Sequence, residues 1–193
     1  MIPITPFDRD TFLHAEIARL VGKWGVEVAF ETGTYHGHTT IALSLLCERT
    51  FTAEIEEKNY SRACDLFELV YVHGNIIANH GNYPEIIEMN LSDISESRTL
   101  YYLDAHWGGT WPLLDELKIV SEQDGPAPII VIHDFKVPNR PDLGFDSFDG
   151  QDLDFNYVKE SLGTIYGEEG FDHHYNVLAV GAHRGVIFIE PKK

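Results

Sequence analysis

Basic residues are scarce in this chain. Fourteen Lys and Arg stand against 31 Asp and Glu in 193 residues, a formal net charge of -17. So acidic a chain repels phosphate backbones, and its one basic doublet is Lys192–Lys193, which argues against a nucleic-acid partner. Long apolar runs are missing too. No segment approaches the ~20 residues that span a bilayer, so no membrane contact is expected. Met1 to Asp8 lacks the basic-then-apolar order of a secretory signal. Cysteine is nearly absent: Cys47 and Cys64 sit in apolar helical patterns and read as free thiols in a reducing, cytoplasmic setting. The acidity itself reads first as solubility, and second as metal binding.

The length suits one domain, residues 1–193, with a sizeable core. Apolar residues at helical spacing follow Asp10–Thr11 and end at Gly22, predicting a helical cover within residues 1–25. Val26 to Phe30 reads as a first buried strand, Thr50 to Ile55 as a second and Val70 to Val72 as a third. Leu100 to Leu103 reads as a fourth strand. Ile129 to Ile132, the most apolar run, reads as a central one. Helices are expected over His38–Cys47, Lys58–Leu69, Pro84–Leu91, Pro112–Glu122 and Asp152–Leu162, with His73 to Gly81 as loop. The runs Tyr175–Val180 and Val186–Ile189 predict a closing hairpin that adds an antiparallel strand to the sheet edge. Alternating strands and helices imply an α/β fold, with a mostly parallel sheet covered on both faces.

The stretch Phe30–Glu31–Thr32–Gly33–Thr34–Tyr35–His36–Gly37–His38 carries the first functional signal. An apolar strand ends in an acid, turns at glycine and opens a helix. Ligands bind at that carboxyl edge of a parallel sheet. The spacing E-x-G-x-x-x-G differs from the G-x-G-x-x-G that closes on a pyrophosphate. A carboxylate there suits a cationic or hydroxyl-rich ligand, which points to S-adenosylmethionine (SAM) rather than NAD.

With that loop, Glu54 ends the second strand roughly twenty residues later, as the acid of a nucleotide-binding α/β unit does. Asp104–Ala105–His106–Trp107 and His133–Asp134 end the fourth and central strands. On these three features, in this order, the chain resembles class I SAM-dependent methyltransferases. It looks most like the metal-dependent small-molecule O-methyltransferases of the catechol and macrolide-sugar type. The resemblance runs from about Val26 to the C-terminus. It implies a Rossmann-like, seven-stranded sheet with an antiparallel last strand, and SAM across the ends of the first two strands.

The resemblance assigns SAM to Glu31, Gly33, Tyr35, Gly37, Glu54, Asn75 and Asp104. Glu54 offers two acceptor oxygens to a ribose diol. Asn75, after the expected third strand, would face adenine; a plain turn reads equally well there. Asp104 and Asp134 end neighbouring strands and can converge on a divalent metal, Mg²⁺ or Mn²⁺, that activates a hydroxyl. Similar enzymes carry two adjacent oxygen ligands where this chain has His133–Asp134. Either His133 ligates, favouring a softer ion, or it points elsewhere. His106 is a candidate ligand or general base, catalytic beside Asp104. Residues 135–157, rich in Pro, Gly, Asp and Phe, read as a substrate lid. The other reading is an excursion packed on a second copy of the chain, which leaves a homo-oligomer open.

These residues predict methyl transfer from SAM to a small hydroxylated acceptor, such as a sugar or natural product. Two alternatives stay open: a SAM-binding protein without transfer, and a metal-dependent hydrolase using Asp104, His106, His133 and Asp134.

Overall fold

The computed structural model describes residues 4–70, 74–105 and 111–193. Seven strands form one sheet in the order β3-β2-β1-β4-β5-β9-β8. They are β1 (Val28–Thr32), β2 (Arg49–Glu54), β3 (Ile76–His80), β4 (Thr99–Leu103), β5 (Ile129–His133), β8 (Phe171–Tyr175) and β9 (Val186–Pro191). A separate two-stranded hairpin joins β6 (Ser147–Phe148) to β7 (Gln151–Asp152). β1 to β5 pair in parallel, and β9 runs antiparallel to both β5 and β8. Every residue of β1, β4 and β5 is buried, as expected of strands covered on both faces.

Strand alternation deals the apolar residues to two cores. Phe30, Tyr101 and Ile130 face α4 (Tyr83–Ile94), α5 (Leu113–Val120) and α6 (Phe155–Tyr166). Ala29, Tyr102 and Val131 face α1 (Thr11–Trp24) and α2 (His38–Ser44). The remaining helix, α3 (Glu57–Val70), packs on β2 and β3 at the sheet's edge. The predicted helical cover is α1. Asp10 caps it: Oδ1 accepts the Phe12 and Leu13 amides, each at 3.0 Å, and Oδ2 accepts Asn176 Nδ2 at 2.8 Å.

Two sequence expectations are corrected. Val70 is the last residue of α3, because Ala63 and Leu66 continue a helical stripe up to it; residues 71–73 lie outside the described part. The third strand is Ile76–His80, inside the expected loop. It is an edge strand, half-exposed along its length, and so has no continuous apolar run to mark it. The closing hairpin exists, but its first strand lies earlier, at Phe171–Tyr175. Its second strand, β9, inserts between β5 and β8 instead of lying at the edge. The insertion buries β9 completely, which accounts for Val-Ile-Phe-Ile in its sequence.

Before α1 the chain makes a tight strap, the single 3-10 turn Pro6–Arg9. Phe7, Asp8 and Arg9 hold φ of 50°, 50° and 67°, a left-handed run that costs roughly 1–3 kcal/mol per residue. Burying the Phe7 side chain against His14 and Tyr102 returns roughly 1.5–3 kcal/mol. That offsets only part of the strain, so the strap's hydrogen bonds matter to its position.

Candidate active site

The strand order reverses between β1 and β4, and ligands of open α/β sheets bind at that switch point, beyond the strands' carboxyl ends. Thr32 and Leu103 are register partners, so the Gly33 turn and Asp104 leave the sheet side by side. Gly33 holds φ +86°, and a Cβ there would lie 2.7 Å from the Asp104 carbonyl oxygen. Glycine is therefore demanded twice over.

Glu31 is 1% exposed, with Oε2 accepting the Thr40 and Thr52 hydroxyls, the latter at 2.7 Å. The Thr52 proton is thereby committed, so Thr34 Oγ1 donates to Thr52 Oγ1 across 2.6 Å. Burial, with Asp104 and Glu54 adding repulsion, pushes the Glu31 pKa up to about 8 against its two hydroxyl donors. Glu31 thus ties α2 and β2 to the turn.

On the other side of the turn, β4 and β5 deliver the acid–imidazole cluster. His133 Nδ1 lies 3.1 Å from Asp104 Oδ1 and 3.2 Å from Asp134 Oδ1. Facing two carboxylates, Nδ1 carries a proton. Burial alone would lower the His133 pKa; the two acids outweigh it and raise it well above the usual imidazole value. Burial raises Asp104 in spite of His133. Burial pushes Asp134 the same way, but His133 and Arg184 overcome it and hold this acid ionised far below the usual range. Asp104, His133 and Asp134 each offer a ligand atom within 4.8 Å of the others. Two hard carboxylate oxygens suit a divalent cation of the Mn²⁺ or Mg²⁺ kind, and His133 would join them only by giving up the proton it now shares with the two acids. Asp134 Oδ1 is already shared by His133 and the Arg184 Nε–H, which leaves Oδ2 for such an ion.

Glu31, Gly33, Tyr35, Asp104, His133 and Asp134 line one cavity of about 290 Å³. Three residues of the assigned set fall outside it. Glu54 is buried beside the turn, where Oε2 accepts the Tyr35 amide at 2.7 Å and Oε1 the Glu56 amide at 2.9 Å. Each oxygen keeps a second lone pair for a further donor. Gly37 caps α2 at φ +78°, where a Cβ would lie 2.5 Å from the Phe67 ring, so its smallness serves the packing of α2 on α3. Asn75 is a correction. It precedes β3, at the amino edge of the sheet, and its Nδ2 donates to the carbonyls of Ser44 at 2.8 Å and Cys47 at 3.2 Å. The carboxyl end of β3 instead presents Gly81–Asn82. His106 lies outside the described residues, as does Trp107.

Sequence reading missed two contributors. Thr5, Phe7 and Asp8 of the strap form a wall of the cavity, whereas no described residue of 135–157 lines it. Arg184 reaches from the β8–β9 connection to Asp134 and Asp146, bridging the cluster to the 135–153 excursion. Its only signal in the sequence is a cation in a turn, Gly181–Ala182–His183–Arg184–Gly185, of a strongly acidic chain.

No protein-family model matches the sequence, and no curated protein matches it. Solved structures do match in fold. The O-methyltransferase from Bacillus cereus, in complex with SAH, aligns at a TM-score of 0.70 with 17% identity over 94% of this chain and 81% of that one. The O-methyltransferase TomG from Streptomyces achromogenes, involved in tomaymycin synthesis and in complex with SAM, aligns at 0.68 with 14% identity over 94% and 80%. An O-methyltransferase-like protein from Klebsiella pneumoniae aligns at 0.65 with 17% identity over 95% and 81%. The fold is the Rossmann-like fold of class I SAM-dependent O-methyltransferases. At these identities the likeness establishes architecture, and chemistry has to be argued from the site.

Proposed function

We propose that this protein is a SAM-dependent O-methyltransferase that acts on a hydroxyl of a small sugar-like or natural-product acceptor, with a divalent cation at Asp104, His133 and Asp134. The observation that carries this reading is convergence: the Gly33 turn and the acid–imidazole cluster open onto the same cavity. SAM supplies a methyl group on a cationic sulfur, and a divalent cation supplies the Lewis acidity that lowers an alcohol's pKa.

The chain's own residues do the rest. Glu31, Gly33 and Tyr35 shape the turn that would hold the cofactor, and the spare lone pairs of Glu54 suit a ribose diol. Asp8, Asp104 and Asp134 make the cavity acidic, which favours cationic or hydroxyl-rich ligands over phosphates. Arg184 keeps Asp134 oriented and ties the 135–153 excursion to it, so a movement of that excursion would be felt at the cluster. His106 keeps the two roles open to it from the sequence, metal ligand or acceptor of the hydroxyl proton. We place the protein in the cytoplasm, where its two free thiols stay reduced.

Thermal unfolding tests this directly. SAM, SAH and NAD⁺ are each added with and without Mg²⁺ or Mn²⁺. A ligand at ~100 times its Kd adds about 2.7 kcal/mol. The expected result is a shift with SAM and SAH and a further shift with the cation. A shift with NAD⁺ alone would reject the cofactor. A shift with metal alone would favour the hydrolase reading.

A further inference from the structure

The cavity wall made by the strap hangs on one imidazole. The Thr5 amide donates to His38 Nδ1 at 3.0 Å, and the Thr5 hydroxyl lies 2.8 Å from the same atom. A backbone N–H can only donate, so His38 Nδ1 is an acceptor and carries no proton. One turn on, the Phe7 amide donates to Thr39 Oγ1 at 3.0 Å. Between these anchors and α1 lie the three left-handed residues, among them Asp8, which faces the cavity. The strain of this run opposes closure, the burial of one phenyl ring supports it, and the anchors at His38 and Thr39 tip the balance.

We propose that residues Thr5–Arg9 are a hinged wall of the cavity and that His38 is the positioning residue that holds it closed, by accepting from Thr5 at an unprotonated Nδ1. Protonation of Nδ1 replaces the lone pair with a donor: the bond from the Thr5 amide is lost, and only the Thr5 hydroxyl, turned to accept, can stay on the ring. The wall then swings out and takes Asp8 from the cavity. The consequence for ligand binding rests on the methyl-transfer reading of the cavity; the latch itself does not.

The groups around His38 set the direction of its response. Asp8 of the strap and His36 of the preceding turn line the cavity with it, and Arg62 and Asp65 of α3 line a second hollow that it shares. Burial and then Arg62 hold the His38 pKa below the usual imidazole value. A depressed pKa in the closed state means that closure is fully favoured above about pH 6.5 and is lost as pH falls through the lower, closed-state value.

Hydrogen exchange of the amides of Thr5, Phe7 and Asp10, read by mass spectrometry, tests the latch in the full chain. Wild type is compared with His38→Asn at about pH 7.5 and about pH 5. The Asn side-chain oxygen replaces the Nδ1 acceptor and does not titrate. Comparing the two proteins at one pH cancels the intrinsic exchange chemistry. Near pH 7.5 both should be protected alike. Near pH 5 wild type should lose protection while His38→Asn keeps it. His38→Ala should be unprotected at both. Equal protection of wild type and His38→Asn near pH 5 would overturn the proposal, as would loss of protection in His38→Asn at either pH. That comparison stands even where the alanine variant folds poorly. SAH binding is measured on the same samples. If SAH binds none of them at either pH, the methyl-transfer reading fails, while the exchange result still decides the latch.

Discussion

Gly33 carries two separate constraints, a left-handed φ and contact with the Asp104 backbone. An alanine there has to adopt the strained φ and push the β4 end away, at a cost of roughly 1–3 kcal/mol. Gly33→Ala should therefore unfold at lower urea and lose the thermal shift with SAH; retention of the full shift would show that the turn tolerates a Cβ. Glu116 is the second residue with an outsized effect. It is fully buried on α5, and neither carboxyl oxygen makes a hydrogen bond of ordinary geometry among the described residues, although the Thr32 hydroxyl lies near enough to favour its charged form. Burial pushes its pKa up to about 8 from 4.5. The folded protein thus holds a proton that the unfolded chain releases. Stability is complete below about pH 4.5 and declines as pH rises toward 8, by up to a few kcal/mol at about 1.4 kcal/mol per pKa unit. Glu116→Gln should flatten that decline in urea titrations at pH 5 and pH 8; an unchanged slope would mean the acid is already ionised in the fold. Glu31, also near 8, adds to the wild-type slope in the same direction.

Among the elements, the 135–153 excursion is held by a knit of backbone bonds. Asp146 N donates to Asp134 O at 2.9 Å, Lys136 N to Leu153 O at 2.7 Å, and Gly144 N to His183 O at 2.8 Å. Arg184 adds the ionic tie, and a Cβ at Gly144 would crowd its guanidinium at 2.8 Å. Arg184→Met removes the guanidinium between Asp134 and Asp146 and leaves only His133 against Asp134. The expected loss is about 1–2 kcal/mol, since the pair is part-exposed, together with faster protease cleavage within 138–150. Cleavage at the wild-type rate would remove Arg184 from the role of tie. The start of α1 is the other sensitive joint. Asp10→Ala strips two helix amides and Asn176 of their acceptor, which should cost about 1–2 kcal/mol and lower the melting temperature.

Over the whole molecule, 31 acidic and 14 basic residues repel one another on balance. Screening should relieve this, so the melting temperature should rise by a few degrees as salt is raised from roughly 0.01 M to 0.15 M, where the Debye length falls from about 30 Å to about 8 Å. A flat response would mean that local ion pairs already balance the repulsion. The amino-acid sequence by itself determined the alternation of strands and helices, the glycine turn after β1, and the acids and imidazole at the strand ends. Those features rest on period, apolar runs and turn chemistry, which are local. It misread β3, because a half-exposed edge strand needs no apolar run, and with it Asn75, which fell on the wrong edge of the sheet. Only the tertiary structure decided that β9 enters between β5 and β8, that the strap rather than 135–157 walls the cavity, and that Arg184 meets Asp134. These pairings join residues far apart in the chain. Their free energy comes from burying strands and pairing charges in space, and no local pattern records which partner a buried strand or a lone cation will find.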